Sequence, residues 1–117
     1  EFGRRMQEDI EDVTDWAVKE GFADPARVCL SGASYGGYAA LMGLAKTPDK
    51  YRCGVAGLAV TDLELIMTSG SGDIPYNPVG LALWKAMAGD PATDRELLRA
   101  ASPALLADRI KSPVLMY

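Results

Sequence analysis

The chain has 117 residues, is 49% hydrophobic and 24% charged, and carries a formal net charge of −4, which bounds it to one small domain of ordinary globular composition. Its 12 basic residues are scattered and form no stripe, which argues against nucleic acid as a partner, and no run approaches the roughly 20 apolar residues that span a bilayer. It contains no histidine, so the commonest general base and the commonest metal ligand are missing together.

Between Arg5 and Glu20 the apolar residues Met6, Ile10, Val13 and Ala17 recur at helical spacing, which predicts a helix with an apolar face and Trp16 beside it. The acids Glu8, Asp9, Glu11, Asp12 and Asp15 are expected on its wet face and in its dipole-favoured first turns, not in a metal site. Gly21 is a candidate C-terminal cap, and Ala23-Asp24-Pro25 a turn. Arg27 to Ser31 forms a short strand whose lack of alternation predicts burial on both faces, as in a parallel sheet.

A glycine-rich turn follows from Gly32 to Gly37, and then a helix from Tyr35 to Lys46. That helix has almost no polar face and is expected to be buried; Thr47-Pro48-Asp49 ends it. Cys53 to Val60 is a second apolar run of strand type. Strand, helix, strand makes a βαβ unit with an expected right-handed crossover. Cys29 and Cys53 each lie in a strand-like run, so buried free thiols are expected rather than a disulfide or ligands. The lack of a disulfide signal points to the cytoplasm. No signal peptide is visible, although a chain opening on Glu1 is expected to have its natural start upstream.

Thr61-Asp62-Leu63-Glu64 has the form of a capping box, so a helix is expected to start at Asp62. Residues 69–73 form a Ser/Gly loop without the Lys-Ser/Thr that completes a phosphate-binding loop. Leu81 to Ala88 is predicted helical. A second capping box, Thr93-Asp94-Arg95-Glu96, opens a helix through about Ala101, and Ser102-Pro103 starts another with serine as cap. Pro113 to Tyr117 is predicted as a third strand. No repeat or interdomain linker is visible. Residues 1–117 are expected to be one central piece of an α/β domain, a parallel sheet with flanking helices, whose N- and C-terminal parts lie outside the chain.

Gly32-Ala33-Ser34-Tyr35-Gly36 has the G-x-S-x-G spacing of a nucleophile elbow. The serine must sit on a sharp, strained turn between a strand and a helix. Side chains two residues before and two after are expected to collide, so glycine is expected to be needed at Gly32 and Gly36. The turn exposes the Ser34 hydroxyl at the carboxyl end of the sheet and aims the next helix's N-terminus at the site. The backbone N–H of Tyr35 can then donate to a tetrahedral oxyanion. Losing one such donor typically costs about 3 kcal/mol of transition-state stabilisation.

The segment Gly32-Ala33-Ser34-Tyr35-Gly36-Gly37-Tyr38 resembles the active-site serine segment of the prolyl oligopeptidase family of serine peptidases, above all its acylaminoacyl-peptidase and dipeptidyl-peptidase branches. Asp15-Trp16, residues 23–28, Thr47-Pro48-Asp49, residues 51–55, Trp84-Lys85, Gly89-Asp90-Pro91 and Ser102-Pro103 also fit, so the resemblance spans nearly the whole chain. It implies a partial α/β-hydrolase fold, a Ser-Asp-His triad and a peptide substrate. It implies no metal and no organic cofactor. Ser34 matches the nucleophile and Tyr35 N–H one oxyanion donor. The triad aspartate is expected beyond Tyr117 and the histidine later still, so Asp108 is not assigned to the triad. The second oxyanion donor is expected upstream of Glu1.

The expected chemistry is acyl transfer in the complete protein through a Ser34 acyl-enzyme, with the isolated 117 residues inert for want of a base. A carboxylesterase or lipase of the same fold shares the elbow. A catalytically dead hydrolase domain kept for binding is compatible with the missing histidine. The segment Ile74 to Met87 is a candidate roof for the site, with Trp84 or Tyr76 near substrate, though core packing is the expected role.

Overall fold

The computed structural model describes residues 2–70 and 72–117. Three strands, β1 (Cys29–Ala33), β2 (Cys53–Gly57) and β3 (Val114–Met116), make one parallel sheet in the order β1-β2-β3. The first two pair in register from Cys29 opposite Cys53 to Ala33 opposite Gly57. Between them runs α2 (Tyr35–Lys46), with the bounds its sequence predicts, and its residues from Gly37 to Ala45 are all buried. Small residues let it lie close on the sheet. A Cβ on Gly43 would come 2.5 Å from Leu30 Cδ1, and one on Gly54 would come 2.5 Å from Leu44 Cδ1. Each large apolar side chain buried there contributes about 1.5–3 kcal/mol.

The edges of the predicted strands shift. β1 begins two residues later than Arg27 and runs to Ala33, and β2 stops at Gly57 rather than Val60. Nor is β1 buried on both faces: Cys29, Ser31 and Ala33 are exposed, while Leu30 and Gly32 are partly covered. Within the described residues helices cover one side of this strand only.

The first helix, α1 (Arg5–Lys19), uses most of its predicted stripe, with Met6, Ile10 and Ala17 half-buried and Met6 packed on the core, but not all of it. Val13 is 64% exposed and Trp16 56%, whereas Gln7 is 1% exposed. Three of the acids expected only on the wet face reach lysines. Glu8 and Glu11 lie 3.6 and 3.9 Å from Lys46 Nζ, and Asp15 lies 2.7 Å from Lys50 Nζ. Helical periodicity identifies an apolar stripe but not which neighbour is present to cover it.

Beyond β2 come α3 (Leu63–Thr68), a 3₁₀ turn at Ile74–Tyr76, α4 (Pro78–Ala88), α5 (Arg95–Ala100) and a 3₁₀ segment at Pro103–Arg109. The helix expected from Asp62 starts one residue later, at Leu63, and Asp62 rather than Thr61 caps it, accepting from Glu64 N and Leu65 N. The helix predicted from Leu81 starts three residues earlier, with Asn77 accepting from Gly80 N and Pro78 in the first turn. Two predicted caps are used differently. The capping box expected at Thr93 does not form: α5 starts at Arg95, and Asp94 before it makes no cap, its carboxylate accepting instead from Asp90 N at 2.9 Å. Ser102 does not cap the segment after it. Fully buried, it donates to Leu98 O at 2.7 Å and accepts from Leu63 N at 2.9 Å, tying α3 to α5. Around that tie sits a core of Phe2, Tyr38, Met42, Leu63, Met67 and Leu98.

Candidate active site

The turn between β1 and α2 holds Ser34 at φ 54° and ψ −118°. A non-glycine residue with positive φ outside a helix carries about 1–3 kcal/mol of strain and persists only where its surroundings over-determine it. Here they do. Ser34 N–H donates to Gly57 O at 2.9 Å, so the last residue of β2 holds the turn from one side. Ser34 O accepts from Tyr38 N at 3.0 Å, so the first turn of α2 holds it from the other. The residue is exposed, at the carboxyl end of its strand.

The two elbow glycines are not equivalent. A Cβ on Gly32 would lie 2.5 Å from both the carbonyl carbon and the oxygen of Gly36, a backbone that cannot swing aside. A Cβ on Gly36 would meet nothing within 4 Å among the described residues. The expected collision is therefore real at Gly32 and absent at Gly36. Gly37 is the second tight position: its Cβ would come 2.8 Å from Gly57 O and 2.9 Å from Ala59 Cβ.

Tyr35 is the first residue of α2, so its N–H has no intrahelical acceptor. Its ring is anchored away from the turn, 4.8 Å from Phe2 and 5.7 Å from Tyr38, and its hydroxyl donates to Met6 Sδ at 3.7 Å. Burial pushes the Tyr35 phenol above its usual range. Burial, then the neighbouring Tyr35, pushes Tyr38 up more strongly, and Tyr38 donates to Ala101 O at 2.9 Å. The backbone N–H of Tyr35 is thus offered by a residue whose side chain is locked in the core.

Past Gly57 the chain turns through Leu58, at φ 44°. It then forms a recess of about 200 Å3 walled by Ala59, Val60, Thr61, Asp62, Leu65 and Ile66. Its first wall residue, Ala59, touches the Gly37 position, which puts the recess beside the elbow. Of the two aromatics considered for a roof, one takes the core role expected of it and the other does not. Trp84 packs edge-on against Phe2 at 5.5 Å in the core, and Tyr76, 74% exposed, has its hydroxyl near Gly70. Asp108 lies exposed in the 3₁₀ segment before β3. Among the described residues no cluster of three His, Cys, Asp or Glu side chains could hold a metal ion.

The cysteines overturn the expectation of free thiols: Cys29 and Cys53 form a disulfide, with Cα atoms 4.7 Å apart. They are the first residues of β1 and β2 and face each other across the ladder. With β1 predicted to start at Arg27, that pairing was hidden. Locating both cysteines at the first positions of successive parallel strands is the signal that would have shown it. The ground for a cytoplasmic expectation goes with it. Sequence reasoning also missed Gly57, which contributes only a carbonyl to the elbow.

A parallel sheet flanked by helices, with a strained serine on a strand-to-helix turn, is a partial α/β-hydrolase fold. The chain belongs to the prolyl oligopeptidase family, whose family model matches residues 1–117. It is 36% identical over 121 residues to dipeptidyl aminopeptidase BIII of Pseudoxanthomonas mexicana, covering 99% of this chain and 17% of that protein. The crystal structure of puromycin hydrolase superposes with a TM-score of 0.85 at 31% identity, over 99% of this chain and 17% of the other. An acylaminoacyl peptidase in complex with Z-Gly-Gly-Phe-chloromethyl ketone gives 0.79 at 25% identity, over 99% and 18%. The chain thus spans about one sixth of the length of the curated relatives it matches.

Proposed function

We propose that these residues carry the nucleophile of a serine-type peptidase acting on oligopeptides or acylated peptides. The observation that carries the reading is Ser34 held at φ 54° by hydrogen bonds to β2 and α2. Such strain needs a reason, and exposing a nucleophile above a helix N-terminus supplies one. The relatives support a peptide substrate: one is a dipeptidyl aminopeptidase, and an acylaminoacyl peptidase was solved with a peptide chloromethyl ketone.

In the complete protein Ser34 Oγ attacks the scissile carbonyl as a base takes its proton. The carbonyl oxygen becomes an oxyanion that accepts from Tyr35 N–H, and collapse expels the amine and leaves an acyl-Ser34. Water then releases the acid. The base is a histidine that this chain does not contain, so the 117 residues alone are inert. The recess beginning at Ala59 offers Val60, Leu65 and Ile66 as apolar walls for a substrate side chain.

The test is Ser34→Ala in the complete protein. Peptide hydrolysis should fall by at least about a thousandfold, and covalent labelling by a fluorophosphonate should vanish. Turnover that survives the substitution would assign the chemistry to another residue.

A further inference from the structure

The Cys29–Cys53 disulfide and the nucleophile sit at opposite ends of the same strand pair. Cys29 opens β1 and Cys53 opens β2, and the ladder runs in register to Ala33 opposite Gly57. One residue further, Ser34 N–H donates to Gly57 O at 2.9 Å. At about 3.3 Å per residue, the covalent tie and the elbow bond are roughly 13 Å apart along the strands. Between them Leu30 and Val55 are the large side chains of the ladder, and the pairs nearest the elbow, Gly32 with Ala56 and Ala33 with Gly57, carry little side-chain bulk to resist splaying. Within the described residues β2 is the only sheet neighbour of β1, and the Cys29, Ser31, Ala33 face is open.

We propose that this disulfide is a positioning element for Ser34: it fixes β1 against β2, and so holds the Gly57 carbonyl where it pins the strained elbow. A bond that acted only on folding would change stability and leave the reactivity of a folded Ser34 alone. Reduction by a dithiol proceeds at Cys29 Sγ or Cys53 Sγ. At Cys29, a thiolate attacks, Cys53 leaves as thiolate, and closure of the reductant to its own disulfide completes a two-electron reduction giving two protein thiols. The proposal rests on Ser34 as nucleophile for its kinetic reading only.

The experiment uses the complete protein, oxidised, dithiothreitol-reduced, and with Cys29→Val and Cys53→Val combined. Alkylation under denaturing conditions counts the thiols by mass. Fluorophosphonate labelling of Ser34 is timed well below each form's melting temperature. Hydrogen exchange is followed for residues 32–38. The oxidised protein should show this pair unalkylated. Reduction and the double variant should each slow labelling on the order of tenfold, short of the roughly hundredfold that a 1 Å misplacement costs. Both should also speed exchange at the elbow, and the double variant should ignore the reductant. Cys29 and Cys53 both alkylated in the oxidised protein would overturn the proposal, as would unchanged exchange at the elbow on reduction. A lowered melting temperature with unchanged labelling makes the bond a staple only, and also overturns it. If the oxidised protein is never labelled at Ser34, the nucleophile reading fails, and exchange at the elbow still decides the role of the disulfide.

Discussion

Substituting the elbow glycines one at a time separates a steric requirement from a sequence habit. In Gly32→Ala the new Cβ would lie 2.5 Å from the Gly36 carbonyl carbon. Carbon atoms in good contact sit about 3.5–4.0 Å apart, so one backbone must move by about 1 Å. Gly36 belongs to the first turn of α2 and Gly32 to β1, both fixed by their ladders. The displacement therefore falls on the turn between them, where Ser34 is. Overpacking of this kind costs about 1–3 kcal/mol of stability. A nucleophile misplaced by about 1 Å costs roughly a hundredfold in rate, or about 2.7 kcal/mol of activation free energy. Gly36→Ala adds a methyl that meets nothing within 4 Å among the described residues, and its loss should be at least about tenfold smaller than that of Gly32→Ala. The assay is kcat/KM for peptide hydrolysis by the complete protein, with thermal melting alongside to show that each variant is folded. A folded Gly32→Ala variant with wild-type kcat/KM would refute the steric account, and so would equal losses at the two positions.

Two further outcomes follow from buried polar groups. Ser102→Ala leaves Leu63 N–H buried without its acceptor, while Leu98 O keeps a bond from Ala101 N; the expected cost is about 2 kcal/mol, seen as a lower denaturant midpoint, and an unchanged midpoint would mean that the α3–α5 tie contributes nothing. Burial raises the Tyr38 phenol, so its stabilisation is fully present below the unfolded value near pH 10 and is lost as pH rises through the higher folded value. Above about pH 10 the wild type should lose stability more steeply than Tyr38→Phe, by up to about 1.4 kcal/mol per pH unit; parallel curves in denaturation titrations from pH 9 upward would contradict that sign.

The elbow was legible because its requirements are local. A sharp turn of positive φ needs a residue without a Cβ two positions before it, at Gly32, so Gly32-Ala33-Ser34-Tyr35-Gly36 announces itself in five letters, and an apolar run from Tyr35 to Lys46 announces the buried helix behind it. The cap at Asp62 is local too, one side chain serving N–H groups two and three residues on. Short apolar runs without alternation also located the strands, and with them the βαβ order.

What required the tertiary structure was everything that depends on which element lies opposite. Ser102 could have capped its own segment; only the arrival of α3 beside α5 turned its oxygen to Leu63 N–H. The stripe of Met6, Ile10, Val13 and Ala17 was visible, but Val13 is left exposed, and α1 docks also by Gln7 and by acids paired with Lys46 and Lys50. The Cys29–Cys53 bond depends on a register, since a slip of one residue would turn the two sulfurs to opposite faces. The Gly57 carbonyl that pins Ser34 has no side chain to mark it, and depends on the same register. Local conformational preference is written in neighbouring letters, whereas partners distant in sequence are chosen by packing, and packing is a property of the whole assembled surface.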